Sequence, residues 1–216
     1  MSGDAHVRIC ERLGVRFPRA TRRVLGFEYE ADARRLLADM RVRSEAFSLM
    51  LHPEKTRIIR FGRYAALNRK ERGQGKPETF NFLGFKLICG QKRTGGFQLI
   101  RRTRRDRMQA TIQRVKEELQ RRRHQSIPEQ GKWLGQVVRG FFAYHAVPTN
   151  YQCLVVFRVR IAQLWKRALM RRSQRGRRTW KQMPRLLDDW LPRPRILHPW
   201  PERRFDAMHP RWEPCA

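Results

Sequence analysis

Residues 130–187 read QGKWLGQVVRGFFAYHAVPTNYQCLVVFRVRIAQLWKRALMRRSQRGRRTWKQMPRLL and contain 13 Lys and Arg residues but no Asp or Glu. Apolar residues recur through this stretch at the spacing of a helix: Leu154, Ile161, Trp165 and Ala168 fall on one face of a 3.6-residue repeat. Such a helix can pack against a core with its apolar stripe and turn a cationic face towards a polyanion. The stretch therefore predicts a helical domain that binds nucleic acid.

The excess of positive charge extends beyond this stretch in both directions. Residues 101–185 contain 23 basic and 4 acidic residues, a net charge of +19 (23 − 4), and the whole chain has a formal net charge of +30. Charge of this size predicts a polyanionic partner, either a phosphate backbone or an anionic membrane surface.

The pattern of apolar residues argues against a membrane. The longest stretch without Asp, Glu, Lys or Arg is 140–157, and Pro148, Thr149 and Asn150 interrupt it. A membrane-spanning helix needs about 20 apolar residues, so this stretch indicates two helix ends joined by a turn. The N-terminus shows no hydrophobic signal, and we expect a cytoplasmic protein with no membrane partner.

Arginine supplies 40 of the 49 basic residues. A guanidinium group binds phosphate in a bidentate way and stacks on bases, which suits RNA. A GC-rich genome also raises the arginine content through codon usage, so the Arg/Lys ratio leaves both explanations open.

The cysteines and histidines show no pattern that a metal site requires. Cys10, Cys89, Cys153 and Cys215 form no Cys-x-x-Cys pair, and the six histidines show no ligand spacing. We expect no bound metal, no disulfide framework and no cofactor.

The first hundred residues predict a mixture of strands and one helix. Residues 1–23 show no clear period, and we expect them to be disordered. A helix is predicted over 30–47, with Glu30 and Asp32 in its first turn, where the helix dipole favours acids. Its predicted inner face consists of Ala33, Leu36, Leu37, Met40 and Phe47. The remaining segments predict a buried strand at 24–27, a strand at 56–61, a loop at 62–79, and a hairpin of strands 80–89 and 96–102.

The second half predicts three long helices and a short fourth one. Met108, Ile112, Val115 and Leu119 form an apolar stripe on a helix that reaches about residue 123. Ser126 and Glu129 form a capping box for the next helix, which ends before Pro148. Asn150 is predicted to cap a third helix, to about residue 173, and a short helix is predicted over 179–191.

Fragments spread along the chain resemble the reverse transcriptase/maturase proteins that bacterial group II introns encode. They occur in that family's order and spacing over residues 24–205: VLGF (24–27), LHPEKT (51–56), FNFLGF (80–85), GKWL (131–134), RRSQ (171–174) and WLP (190–192). A single fragment is a weak signal, whereas the ordered set is a specific one.

The resemblance implies an α+β protein: a small palm-derived sheet-and-helix remnant at 24–102, followed by an α-helical thumb, the maturase-specific domain, at 103–191. Residues 1–23 would be a divergent N-terminus, and residues 192–216 an extended proline-rich tail. By position, Lys55 resembles a palm lysine that assists nucleotide addition, and Phe82, Leu83, Gly84 and Phe85 resemble the primer grip. The implied partner is group II intron RNA or another structured RNA.

The chain departs from this family at the polymerase signature. The Tyr-Ala-Asp-Asp sequence is expected just before residue 24, and its two Asp positions fall on Thr21 and Arg22. Nucleotidyl transfer needs clustered carboxylates that hold two Mg²⁺ ions, and neither residue can replace them. We therefore expect no catalytic residue and no polymerase activity from this chain alone.

The candidate RNA-binding residues are cations with few acids near them in sequence, for which solvated surface is the alternative role. They are Lys55, Arg101, Arg102, Arg104, Arg105, Arg121, Arg122, Arg123, Lys132, Arg158, Lys166, Arg167, Arg171, Arg172, Arg175, Arg177, Arg178 and Lys181. A set of aromatic residues could stack on bases, but their helical spacing favours core positions: Trp133, Phe141, Tyr144, Trp165 and Trp180.

The sequence favours an RNA-binding, maturase-like fragment that stabilises intron RNA for splicing. It leaves two other functions open. The chain could be the C-terminal half of a split RNA-directed DNA polymerase, whose separate N-terminal half supplies the carboxylates, or it could be an inert product of a degraded mobile element. A generic basic DNA or ribosome binder fits the charge but not the ordered fragments.

Overall fold

The computed structural model describes residues 7–11, 23–53, 56–171 and 183–200 of the chain. These residues form six helices and six strands, so the expected mixture of α and β structure is confirmed. The chain divides into two compact units, Met1–Ile100 (unit 1) and Arg101–Ala216 (unit 2). The division lies two residues before the boundary at 102 that the sequence predicted.

The first sheet of unit 1 consists of β1 (Val7–Glu11), β2 (Arg23–Phe27) and β3 (Arg57–Arg60) in the order β2-β1-β3. Both pairings are antiparallel, and β1 is the central strand. The expectation of disorder through residues 1–23 is therefore wrong for β1. This five-residue strand contains β-branched Val7 and Ile9, which favour extended backbone, and strands on both sides pair with it.

Helix α1 (Glu30–Ala46) begins where the sequence predicted, and Glu30 anchors its first turn. The Glu30 carboxylate forms salt bridges with Arg34 (2.6 Å) and Arg60 of β3 (2.7 Å). These two guanidinium groups, Arg34 first, hold the pKa of Glu30 below its ordinary value. The predicted inner face is only partly correct, because Phe47 is the C-cap residue beyond the last turn and is 69% exposed.

Strand β2 forms as predicted, but Leu25 within it is exposed rather than buried.

The segment 62–79, predicted as a loop, contains helix α2 (Ala65–Glu71). Its sequence AALNRKE is rich in strong helix formers, and this local preference outweighs the flanking glycines that suggested a loop. Ala65 is the buried residue of this short helix.

The second sheet contains β4 (Phe80–Phe82), β5 (Phe85–Gln91) and β6 (Phe97–Thr103) in the order β4-β5-β6. The strand predicted over 80–89 is in fact two strands. Leu83 and Gly84 have φ angles of +44° and +76° and form a two-residue turn, across which Phe82 pairs with Phe85. Positive φ at both turn residues is the geometry that tight hairpins favour. The predicted turn at 92–96 is confirmed, since the Lys92 N–H donates to the Gly96 carbonyl at 2.7 Å.

Unit 2 is helical, with α3 (Arg105–Arg121), α4 (Ile127–His145), α5 (Tyr151–Met170) and α6 (Met183–Trp190). The capping box at the start of α4 is confirmed: the Ser126 N–H donates to the Glu129 carboxylate (2.8 Å), and the Glu129 N–H donates to the Ser126 hydroxyl (3.4 Å).

Residues 179–182 of the predicted fourth helix lie outside the described residues, as do residues 201–216 of the predicted tail. Residues 192–200 have no regular secondary structure, as expected for that tail.

The core of unit 2 forms from the apolar stripes that the sequence predicted. Val115 and Leu119 of α3 and Leu154, Ile161 and Trp165 of α5 are buried in one cluster with residues of α4. The ring of Phe141 in α4 stacks on that of Phe157 in α5, with centroids 3.7 Å apart.

Asn150 immediately precedes α5. The prediction that its side chain caps this helix is wrong, because that side chain forms no capping hydrogen bond. The buried carboxamide instead accepts a hydrogen bond from the Thr103 N–H (2.9 Å) and donates to the Thr103 hydroxyl and the His145 carbonyl, each at 2.8 Å. These bonds satisfy buried polar groups at the end of β6 and of α4.

Two glycines let α6 approach α4 closely. A Cβ atom on Gly131 would lie 2.5 Å from the Trp190 ring, and one on Gly135 would lie 2.6 Å from the Trp190 carbonyl oxygen. Such distances are shorter than atoms tolerate, so a side chain at either position would displace Trp190.

Gln130 is a fully buried polar residue of α4 that joins two other elements of the bundle. Its carbonyl oxygen accepts a hydrogen bond from the Trp165 indole N–H (3.1 Å), and its amide donates to the Arg122 carbonyl (2.6 Å). We expect Gln130→Leu to lower the free energy of unfolding by about 1–3 kcal/mol, because the buried indole N–H loses its acceptor. Urea denaturation measures this, with Gln136→Leu at an exposed site of the same helix as the control. Equal effects of the two substitutions would contradict the assignment.

His145, at the end of α4, stacks on Phe141 with ring centroids 4.1 Å apart. Burial lowers the pKa of His145 below its ordinary value of 6.5, because the imidazolium would lose water, and the hydrogen bond to the Phe141 carbonyl offsets only part of this. As pH falls, the unfolded chain therefore takes up this proton before the folded chain does.

The stability contributed by neutral His145 is accordingly present above the ordinary pKa and is lost as pH falls below it. We expect the free energy of unfolding to decrease between about pH 7 and pH 5.5, and His145→Asn to reduce this slope. Denaturation across this range measures it. A slope unchanged by His145→Asn would contradict the prediction.

Candidate nucleic-acid interface

An open cleft of about 190 Å³ runs between α3 and α5. Its walls carry four cations, and its floor is apolar. The α3 side, including the residues just after that helix, contributes Lys116, Leu119, Gln120 and Arg123, and the α5 side contributes Leu164, Arg167, Ala168 and Arg171.

Helical spacing places these side chains together. Lys116 and Gln120 are four residues apart on one face of α3, and Arg123 follows three residues later, just past the helix. Arg167 lies in the last turn of α5, and Arg171 follows four residues later at its C-cap. Leu119 on the floor is buried. The long stems of Lys and Arg can cover such an apolar floor while their charged ends reach solvent. The cleft therefore follows from the same periodicity that builds the core.

Among the residues that the structure describes, no carboxylate lines this cleft. The nearest acids in sequence, Glu117 and Glu118, lie on the side of α3 that faces α4, where Glu118 pairs with Arg121 (3.5 Å) and Arg122 (2.7 Å). Arg123 and Arg171 lie just past the C-terminal ends of α3 and α5, where the helix dipoles favour cations. The dipoles offset part of the repulsion between the four cations, and an anion bound between them would offset the rest.

The cleft brings together three of the predicted RNA-binding residues, Arg123, Arg167 and Arg171. It also contains Lys116, which the sequence interpretation missed. In sequence, Lys116 precedes two glutamates and looks neutralised by them. Its spacing to Gln120 and Arg123 was the signal that could have identified it.

Three other predicted RNA-binding arginines form salt bridges with carboxylates close to them in sequence. Arg104 forms a bidentate pair with Asp106, and this guanidinium lowers the pKa of Asp106. Arg121 and Arg122 share Glu118. Phosphate contact by these arginines would compete with an existing carboxylate.

Arg158 has a structural role that its position in a cationic run concealed. Only 19% of its side chain is exposed, and its guanidinium donates to the carbonyls of Leu187, Leu191 and Pro192 and to the Asp188 carboxylate, at 3.2–3.3 Å. Arg158 thus satisfies carbonyl groups at the C-terminal end of α6. Asp188 also binds Arg193, and Arg193, followed by Arg158, holds the pKa of that carboxyl below its ordinary value.

The remaining predicted cations of the described part do not line the cleft. Arg101 is half-buried, burial lowers its pKa, and its Nε atom has no hydrogen-bond partner among the described residues. Lys166 is half-buried, and three others are exposed: Arg102, Arg105 and Lys132. Six predicted residues lie outside the described residues: Lys55, Arg172, Arg175, Arg177, Arg178 and Lys181.

The aromatic candidates divide between core and surface. Phe141 and Trp165 are buried, as their spacing predicted, whereas Tyr144 is 51% exposed. Trp133 is half-buried, and the Arg122 guanidinium lies 4.9 Å from its ring centroid. Trp180 lies outside the described residues.

The segment that resembles a primer grip is the β4–β5 hairpin described above. Phe85 is buried, and Leu83 is exposed at the tip of the turn with a positive φ angle. A left-handed conformation is costly for a residue other than glycine, so the neighbouring strand pairing holds Leu83 in it. The shape of this segment is a tight, apolar-tipped turn.

Neither protein-family models nor curated proteins match this sequence. Within the described ranges, no helix is both long and apolar enough to cross a membrane. The same residues contain no cluster of three His, Cys, Asp or Glu side chains that could hold a metal ion.

Two arginines of α5 allow a test of which cations are structural. We expect Arg158→Gln to lower the free energy of unfolding by about 1.5–3 kcal/mol, because charge-assisted hydrogen bonds to α6 are lost. The matched substitution Arg167→Gln, at an exposed cleft position, should change it by less than about 0.5 kcal/mol. Urea denaturation of both variants measures the difference, and a larger loss for Arg167→Gln would contradict this assignment.

Proposed function

We propose that this chain binds structured RNA through the cleft between α3 and α5 and does not itself catalyse nucleotidyl transfer. The observation that carries the proposal is the cluster of Lys116, Arg123, Arg167 and Arg171 around a cleft whose described lining contains no carboxylate. A cluster of like charges is least repulsive when an anion lies between its members, and the anion that suits an elongated cationic cleft is a phosphate backbone.

The mechanism is electrostatic. Compact folding of an RNA brings phosphates of separate helices close together, where they repel one another. Arg and Lys side chains that lie between such phosphates reduce this repulsion and release condensed counterions. The guanidinium groups of the three arginines can bind phosphate in a bidentate way. The protein would thus favour the folded RNA, and the RNA would carry out its own chemistry.

The resemblance to group II intron maturases supports intron RNA as the partner. The cleft lies in unit 2, the part of the chain that resembles the thumb of that family. Thr21 and Arg22 occupy the positions of the catalytic aspartates. Since two Mg²⁺ ions need clustered carboxylates, we propose a binding role rather than a polymerase role for the chain alone.

A second candidate function is a subunit of a split RNA-directed DNA polymerase. The tight turn at Leu83 and Gly84, within the segment that resembles a primer grip, favours it. In that case the cleft would bind a primer–template duplex, and a separate polypeptide would supply the carboxylates. Primer extension by this chain, alone and with such a polypeptide, distinguishes the two candidates.

The salt dependence of RNA binding tests the proposed function. If about six phosphates are neutralised, the logarithm of the association constant should fall with the logarithm of salt concentration with a slope of about −4 to −5. The double substitution Lys116→Gln/Arg167→Gln should weaken binding and make the slope less steep by about 1.5, because two phosphate contacts are lost. Fluorescence anisotropy with a folded intron transcript at several salt concentrations measures both quantities.

The control removes the same charge from elsewhere in unit 2. Arg107 on α3 and Arg139 on α4 are exposed and do not line the cleft, so Arg107→Gln/Arg139→Gln should leave the slope nearly unchanged. A wild-type slope near zero would reject RNA binding through phosphates. Equal effects of the two double substitutions would reject the α3–α5 cleft as its site.

A further inference from the structure

We propose that Gln120 accepts a hydrogen bond from a ribose 2′-hydroxyl in the α3–α5 cleft and so makes this cleft prefer RNA to DNA. The inference rests on the proposed function and names the group by which the same site would distinguish the two nucleic acids. It follows from the kinds of hydrogen-bonding group that the side chains of the cleft offer.

The side chains that line the cleft offer many donors but a single acceptor. Its four cations carry N–H donors only, and its leucine and alanine side chains form no hydrogen bonds. Among the described lining residues, the carboxamide oxygen of Gln120 is therefore the only side-chain acceptor. A ligand group that donates a hydrogen bond in this cleft has one side chain to which it can donate.

The Gln120 carboxamide is available to a ligand. Its side chain is exposed and forms no hydrogen bond with any other residue that the structure describes. The backbone carbonyls of Gln120 and Arg167, in contrast, already accept bonds from the Arg123 N–H (3.4 Å) and the Arg171 N–H (3.3 Å). These two carbonyls are therefore less able than the carboxamide to accept a bond from a ligand.

The position of Gln120 between two cations favours a sugar hydroxyl over a base amino group. Gln120 follows Lys116 by four residues and precedes Arg123 by three. A nucleic-acid backbone whose phosphates lie at these two cations places a sugar beside Gln120. The 2′-hydroxyl is on the carbon next to the one that carries the 3′ phosphate, whereas base amino groups lie on the far side of the sugar.

DNA offers no equivalent donor along its backbone. Its sugar carries hydrogen in place of the 2′-hydroxyl, and its phosphate and sugar oxygens only accept hydrogen bonds. In a DNA complex the carboxamide oxygen of Gln120 would lose water without gaining a partner, which costs binding free energy. The four cations contact phosphates that both nucleic acids share, so Gln120 would supply the preference through the group that distinguishes RNA.

An RNA hairpin and the same hairpin with 2′-fluoro sugars test the inference. A 2′-fluoro sugar keeps the RNA-like pucker and the charge of the strand, but fluorine cannot donate a hydrogen bond. We expect the wild-type chain to bind the RNA hairpin about three- to tenfold more tightly, the range that one net hydrogen bond supplies. Gln120→Ala should reduce this preference to less than about twofold. Fluorescence anisotropy at a fixed salt concentration measures all four affinities.

The control removes a carboxamide from elsewhere in unit 2. Gln136 is exposed on α4 and does not line the cleft, so Gln136→Ala should keep the wild-type preference. Because alanine is a strong helix former and both positions are exposed, each variant should fold, which circular dichroism checks.

The outcomes separate the inference from the proposed function. If wild-type protein binds neither hairpin, the proposed function itself fails. If it binds both hairpins equally, the cleft does not recognise the 2′-hydroxyl, and the inference alone is wrong. A preference that Gln120→Ala retains would also overturn the inference, because the acceptor would then lie elsewhere.

Discussion

The segregation of charge around helix α3 underlies the whole interpretation of unit 2. The two carboxylates in its C-terminal half, Glu117 and Glu118, face α4, and Lys116 faces α5 together with Arg123 just beyond the helix. Had the acids been placed one or two positions along the helix, they would lie among the cations and neutralise them. Because they do not, the described residues that line the α5 side of α3 include cations and no carboxylate, and a bound anion would reduce the repulsion between these cations.

The helices of unit 2 and their buried faces could be predicted from sequence because helical periodicity encodes them directly. The stripes of α3 and α5 and the capping box at Ser126 each depend on residues within one or two turns. Strand β1 and the turn at Leu83 were missed because neither shows such a local pattern. Strand β1 has only five residues and is held by two flanking strands, and the turn at Leu83 requires a conformation that the residue type does not favour.

The site was less predictable than the fold, because a sequence shows how many cations a segment has but not what they contact. Arg158 belongs to an acid-free run and yet satisfies the carbonyls at the end of α6. Arg104 and Arg122 looked available and are paired with carboxylates. Lys116 looked neutralised and is not, because adjacent residues on a helix point in different directions.

The glycine notch of α4 has a consequence for how unit 2 is completed during translation. Gly131 and Gly135 receive Trp190 of α6, which leaves the ribosome well after α3, α4 and α5 have been made. Until then the notch, and the apolar surface around it, stay in contact with water or with a chaperone. Helices α3, α4 and α5 can pack together before α6 is available. The packing around Gly131 and Gly135 is completed only when Trp190 docks there. Chains in which Trp190 has not yet packed into the notch therefore expose apolar surface and are prone to aggregate.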